Sequence, residues 1–343
     1  MKTFISLFAL FLSLSLTAQT NTATWYLNDT SGNGIQTSSN TASGSVSVAM
    51  GVGTTASGQY STSMGVETTA SGGRSTAMGH QTEASGDFST AMGRNTEASG
   101  KYSIALGFGT ESIGWYSTAL GHRNEASGQR STAMGYETKA SGDNSTAVGF
   151  YTTAEDYLTF AIGVYNKRDE TPNPVSFSYQ NTAFLIGNGG YDNDGNFIGT
   201  PESYSNAFEV LFDGTTTIAG DLNVNSDARL KANIISLGST LSKLLQIDGK
   251  SYTMKKDESE RQKIGLLAQD IEKVFPELVS ESHGVKSVNY QGLVPVLINA
   301  LKEQDAMMKE QDNRLSKQQS EIDRLKTQEE RLERLERLVA AMD

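Results

Sequence analysis

The sequence predicts a mostly β front built from stacked fourteen-residue units, then a small β connector, then an α+β module that ends in a long coiled coil. Three observations carry this. Glycine recurs at 44, 58, 72, 86, 100, 114, 128 and 142, and again at 51, 65, 79, 93, 107, 121, 135, 149 and 163. The period stops at Asn166, where prolines and Gly/Asn turn signals take over. From Val294 onward, apolar residues recur every seven positions.

The first residues, MKTFISLFALFLSLSLTAQT, give a charged start at Lys2, an apolar run from Phe4 to Leu16 and a small polar exit at Thr17-Ala18-Gln19. That is the layout of a secretory signal peptide, too short in its apolar run to span a bilayer. Residues 1–19 are therefore expected to be removed, with cleavage after Ala18 or Gln19, leaving a secreted or cell-surface chain. Residues 20–41 form an N-terminal segment ahead of the repeats.

The copies read ASGQYSTSMGVETT, ASGGRSTAMGHQTE, ASGDFSTAMGRNTE and ASGKYSIALGFGTE. A fixed period implies one supersecondary unit per copy, stacked on its neighbours. Within Ser-Thr-Ala-Met-Gly, Ala77 and Gly79 fall on one side and Thr76 and Met78 on the other, which is strand alternation. The paired glycines are expected at turns where φ is positive. Fourteen residues then make two short strands and two turns. Met64, Met78, Met92, Leu106, Leu120, Met134, Val148 and Ile162 would line up as one apolar stripe. Self-association is the simplest cover for such a stripe.

The motif A-S-G-x-x-S-x-A-x-G resembles the head repeat of trimeric autotransporter adhesins. The resemblance implies a trimeric left-handed parallel β-roll over residues 42–165, one coil per repeat. Local departures are Ser112-Ile113 in place of Ala-Ser, and Ala154-Glu155-Asp156 closing the series. That family ends in a membrane β-barrel; this sequence continues into Arg- and Glu-rich helix instead.

Residues 166–225 read as a β connector. Strand-like runs are Val175–Tyr179, Ala183–Ile186 and Phe208–Phe212, the last followed by the hairpin signal Asp213-Gly214 and by Thr215–Ile218. Asp192-Asn193-Asp194-Gly195-Asn196 has the look of a calcium loop. Ser203 stands where the bidentate glutamate belongs, so a plain turn is expected.

The stretch Asn225-Ser226-Asp227-Ala228-Arg229-Leu230-Lys231 places a serine near a lysine in a chain with three histidines, His80, His122 and His283, all distant in sequence. Ser-Lys pairs serve elsewhere as nucleophile and base. A lysine acts as base when neutral, which takes an apolar pocket or a neighbouring cation such as Arg229. Neither regular structure assembles such a pair. A helix turns the side chains about 500° apart, and a strand leaves them about 16 Å apart on opposite faces. A bend between Ser226 and Lys231 is required, or a partner chain. From these residues alone, Ser-Asp ahead of a Lys-rich segment reads as a helix cap or turn.

Further on, Ile264–Val279 reads as an amphipathic helix stopped by Pro276, followed by Val288-Asn-Tyr290 and a long helix beginning near Leu293. The order of SDARLK, GLLAQDIEKVFPELV and VNYQGLVPVLINALKEQ resembles the intramolecular chaperone found at the C-terminus of endosialidases and other phage tail spikes, the S74 peptidase family. The resemblance covers residues 226–304. It implies a domain that trimerises, assists a β-rich fibre and cuts itself off at Asn225-Ser226. Ser226 and Lys231 match the family dyad, and Asp227, Arg229 and Leu230 match its motif without an assigned step. Gln269 lies in the AQD motif with an expected structural role.

The tail, residues 305–343, is expected to form a trimeric coiled coil. Val294, Leu301, Met308, Leu315 and Ile322 make one seam; Leu297, Gln304, Gln311, Gln318, Leu325 and Leu332 make the other. Leu332, Leu335, Val339 and Met342 fit a shifted register, as after a stammer beyond Leu325.

Composition narrows the function. The net charge of −11 argues against nucleic-acid binding. The absence of cysteine removes disulfides, thiolate metal sites, a cysteine nucleophile and a lipidated N-terminal cysteine. No metal or cofactor is expected, and Glu83 and Glu97 read as solvated. The expected partners are two further copies in a homotrimer and an unspecified host, matrix or carbohydrate ligand. Two functional readings stand: a self-cleaving fibre, and a structural adhesin whose C-terminal domain clamps without cutting.

Overall fold

The computed structural model describes residues 26–27, 35–36, 39–168, 170–191, 196–200, 203–255 and 260–341. The expected signal peptide, the residues Asp192–Gly195 and the register position Met342 lie outside them. The chain divides into two compact units, residues 1–223 and 224–343.

In the first unit each repeat folds into one coil. A five-residue strand such as Thr76–His80 is followed by a two-residue strand such as Glu83–Ala84. Each strand pairs in parallel with its equivalent one repeat away, so Ala77 faces Ala91, Met78 faces Met92 and Gly79 faces Gly93. Among the described residues, the nine long strands form the centre of a fourteen-stranded sheet and the nine short ones a nine-stranded sheet. About nine coils form a β-solenoid over residues 41–164.

Alternation assigns the faces as the sequence suggests. Ala77 and Ala84 are fully buried, together with the small polar residues Ser75 and Thr82. Thr76 and Met78 are half-buried on the outer face. The outward stripe continues through Met92, Leu120 and Met134, which are more exposed. In-register stacking also aligns rings. Phe88, Tyr102 and Tyr116 stack at 4.8 Å spacing, and Phe108, His122, Tyr136 and Phe150 at 4.5–5.0 Å.

The turns differ from expectation. Most corners are held in the left-handed region by non-glycine residues, among them Arg74 at φ 59° and Gln81 at φ 54°, with Gly53 and Gly109 as the exceptions. Their amides donate to the preceding coil, Arg74 N to Gln59 O at 2.7 Å and Gln81 N to Val66 O at 2.9 Å. These hydrogen bonds offset the conformational cost of that region. The glycines serve close approach instead: a Cβ on Gly72 would lie 2.0 Å from Gly86 O. Gly79, at φ +126°, sits inside the long strand rather than in a turn.

The solenoid ends where Asp156 replaces the repeating glycine. Its buried carboxylate accepts from Asn173 N at 2.7 Å and from Thr182 N at 3.0 Å. The strand Thr182–Asn188 then extends the long-strand sheet by pairing in parallel with Phe160–Val164. Asn206–Leu211 and Thr216–Ile218 add to it as the expected hairpin, with Leu211 N donating to Thr215 O. Val175–Tyr179 is loop, contrary to its strand-like alternation. Its neighbour Pro174 gives its carbonyl to Asp143 N, and Phe177 packs edge-on against Tyr179 and Phe212. Aromatic packing, not a ladder, satisfies this run.

The second unit has a small core of Ile271, Phe275, Leu278, Leu293 and Val296. The expected helix over Ile264–Val279 is much shorter. Lys263–Gly265 is a strand paired with Lys250–Tyr252, and the helix is confined to Ala268–Val274. Phe275 precedes Pro276 and leaves the helical region at ψ 67°, as a residue before proline tends to. A 3-10 turn at Pro276–Leu278 leads into the hairpin Val279–Ser282/Val285–Val288. The long helix runs from Leu293 to Ala340. Its apolar seam residues Val294, Leu301, Leu315 and Leu332 are all exposed in the single chain. No described helix is long and apolar enough to cross a membrane.

Candidate active site at the SDARLK turn

The local sequence explains the turn. Asp227 has an extended backbone (φ −63°, ψ 134°) and caps a 3-10 turn over Ala228–Leu230. Its carboxylate accepts from Arg229 N at 2.8 Å, as Asp does at helix starts. Leu230 N donates to Asp227 O and Lys231 N to Ala228 O, both at 3.1 Å. Lys231 then returns to extended geometry. The chain therefore bends between Ser226 and Lys231, as an intrachain pair requires. Lys231 Nζ donates to Ser226 Oγ at 2.6 Å, within proton-transfer range. The cap and the Ser-Lys contact coexist, because Asp227 rather than Ser226 supplies the cap.

Arg229 is not an isolated cation beside Lys231. Its guanidinium donates to both Asp227 oxygens, Nε at 3.1 Å to each and Nη2 to Oδ2 at 2.6 Å. Those bonds, led by the guanidinium and followed by the Arg229 amide, hold the Asp227 carboxyl below the usual carboxylate range. A surface pocket here is lined by Asn225, Ser226, Asp227, Arg229 and Leu230. Ser226 and Lys231 are both exposed, and Leu230 is 71% exposed. Gln269 is elsewhere. It sits in the first turn of the helix Ala268–Val274 and lines a second pocket with Tyr252, Leu266, Lys286 and Tyr290. There Tyr290 Oη accepts from Leu266 N at 3.0 Å.

One supporting residue had no sequence signal. Glu303, on the long helix, accepts from Ser239 Oγ at 2.6 Å and from the Thr240 amide, with Leu241 N at 3.4 Å. It thereby caps the short helix Leu241–Leu244. The Ser239 hydroxyl first, then the Thr240 amide, draw its carboxyl below the ordinary range. A partner sixty residues away leaves no periodic trace.

The fold and the turn define a class: adhesin-type head repeats ahead of an endosialidase-type chaperone domain. Residues 226–280 match the family model described as chaperone of endosialidase, Peptidase S74. Overlapping segments from 42 to 152 match the YadA head domain repeat. Among curated proteins, the long tail fiber protein Gp37 of Escherichia phage AR1 is 31% identical over 100 residues, covering 26% of this chain and 9% of that protein. The protein of the same name from Salmonella phage S16 is 36% identical over 83 residues, covering 21% and 11%. The chain thus spans about a tenth of the length of these curated relatives.

Proposed function

We propose that this chain is an exported, homotrimeric fibre protein whose C-terminal domain, residues 226–304, assists trimer folding and then releases itself by cutting the Asn225–Ser226 bond. Ser226 is the nucleophile and Lys231 its base. Lys231 takes the Ser226 hydroxyl proton as Oγ attacks the Asn225 carbonyl. The C–N bond breaks, the proton passes to the departing α-amine, and water hydrolyses the resulting ester. The observation that carries this reading is the 2.6 Å contact of Lys231 Nζ with Ser226 Oγ, beside the bond to be cut and inside the segment that matches the chaperone family.

Trimerisation is supported by two unpartnered apolar features, the Met stripe of the solenoid and the exposed seam of the long helix. A chaperone has a physical task here. Coils whose cores are alanine and serine bury little each, and non-local β pairing is slow and aggregation-prone. A helical bundle that associates first raises the local concentration of the three rods. Its removal leaves the fibre kinetically trapped.

The exposure of Ser226 and Lys231 favours a second reading, a trimerisation clamp that does not cut. Denaturing gels separate the two. Self-cleavage yields fragments ending at Asn225 and beginning at Ser226, lost in Ser226→Ala and in Lys231→Ala. A full-length band at all times, in a folded trimer, refutes it and leaves the clamp.

A further inference from the structure

We propose that Asp227 is the positioning residue of the turn: its carboxylate folds the span from Ser226 to Lys231 so that hydroxyl and amine meet. For the cleavage step this rests on the self-cleaving reading above.

The turn has no packing of its own. It holds three residues, none buried, and lies in a stretch from 219 to 239 that is exposed throughout. No core packing holds it, and so short a 3-10 piece does not sustain itself in water. Left extended, the same five-residue step would separate the two side chains by about 16 Å along the strand. Something local has to impose the bend.

The bonds that do so converge on Asp227. Its main-chain carbonyl takes the Leu230 amide, and its carboxylate takes the Arg229 amide. The third bond, Lys231 N to Ala228 O, closes the turn. Arg229 holds the carboxylate in its capping orientation through three contacts of 2.6–3.1 Å. Asp227 thus fixes where Ser226 ends and where Lys231 begins, without touching the bond to be cut. Arg229 acts on Asp227. With its charge matched by that carboxylate, it does not serve as the free cation beside Lys231 that the sequence suggested.

Asn caps about as well as Asp but cannot form the ion pair, whereas Ala does neither. Asp227→Ala is therefore expected to slow appearance of the Asn225-terminated fragment by about fivefold, the factor a cap of ordinary strength is worth. Asp227→Asn is expected to restore the rate to within about twofold, with the pH profile of cleavage unmoved. Cleavage at the wild-type rate in Asp227→Ala, or equal slowing in Asp227→Asn, overturns the assignment.

A second measurement does not need cleavage. In full-length Ser226→Ala, uncut on either reading, NMR amide exchange at Arg229, Leu230 and Lys231 is expected to speed up about fivefold on adding Asp227→Ala. Amides of the Ile271–Val296 core should not change. Unchanged exchange at Arg229 overturns the proposal. A wild-type chain that never cuts, with faster exchange in the variant, sinks the self-cleaving reading and leaves Asp227 as the residue that sets the turn.

Discussion

Gly79 and Gly73 sit six residues apart in one coil, and the structure assigns them opposite tolerance. At Gly79 an added Cβ would lie 1.9 Å from Gly93 O and 2.9 Å from Gly93 C, both backbone atoms of the next coil. Contact at about 3.2 Å would require that coil to retreat by more than about 1 Å, and the ladder bonds between Thr76–His80 and Thr90–Arg94 would lengthen. The residue is also at φ +126°, which an L side chain adopts only under strain. Clash and strain together give a cost of about 3–5 kcal/mol for Gly79→Ala. At Gly73 the nearest atom is Asp87 Oδ1 at 3.2 Å, the end of a side chain that accepts from Gly73 N at 3.0 Å and has to give only a few tenths of an ångström. Gly73→Ala should be neutral, or stabilising by up to about 1 kcal/mol through the unfolded chain. Urea unfolding of the full chain, followed by far-UV circular dichroism, measures both. The Gly79 variant should lose its β signal at clearly lower urea, and limited proteolysis should open cuts near residues 79 and 93. Equal midpoints for the two variants would refute the reasoning, since they would mean that interdigitated backbone does not decide stability here.

Three further outcomes are expected. Glu303 has its carboxyl lowered by folding, so the stability it lends is fully present above the unfolded value near 4.5 and is lost as pH falls through the lower folded value. Melting of the second unit should therefore weaken on acidification below about pH 4.5, and Glu303→Gln should flatten that slope; an identical slope in the variant removes Glu303 from the account. Asn124 bridges coils, donating to Leu120 O and Gly135 O and accepting from Thr138 N and Oγ1. Asn124→Ala should cost about 1–3 kcal/mol, whereas Asn124→Thr, the residue of neighbouring coils, should cost less; the reverse order in urea would contradict the bridging role. Leu315→Asp should lower the mass seen in sedimentation from three chains toward one, if the exposed seam is where copies meet; an unchanged mass rejects that seam.

The repeats were legible because each structural need recurs. Glycine appears wherever a Cβ would strike the next coil, and alanine wherever the interior has no room, so spacing alone discloses stack, strand and outward stripe. Where needs did not recur, pattern misled. Val175–Tyr179 alternates like a strand, yet its aromatic groups are used against Phe212 rather than across a sheet face. Ile264–Val279 has helical spacing, yet Lys263–Gly265 is taken by Lys250–Tyr252, a competition decided by residues a dozen positions away. At the hinge the sequence supplied both members of the pair and the need for a bend. That Asp227 makes the bend follows from hydrogen bonds which residue types permit but do not dictate. Glu303 was invisible for the opposite reason, since its partners are distant in sequence.

Stacked rings show that each repeat advances the solenoid by about one ring spacing, 4.8 Å between Phe88 and Tyr102 and again between Tyr102 and Tyr116. Because every coil presents the same small interior to the next, one can be added or deleted without redesigning its neighbours. The coding sequence is then a ruler marked off in units of forty-two bases: in-frame duplication of one unit lengthens reach by a fixed step, while a one-residue insertion inside a strand turns alanine outward and methionine into a space too small to hold it.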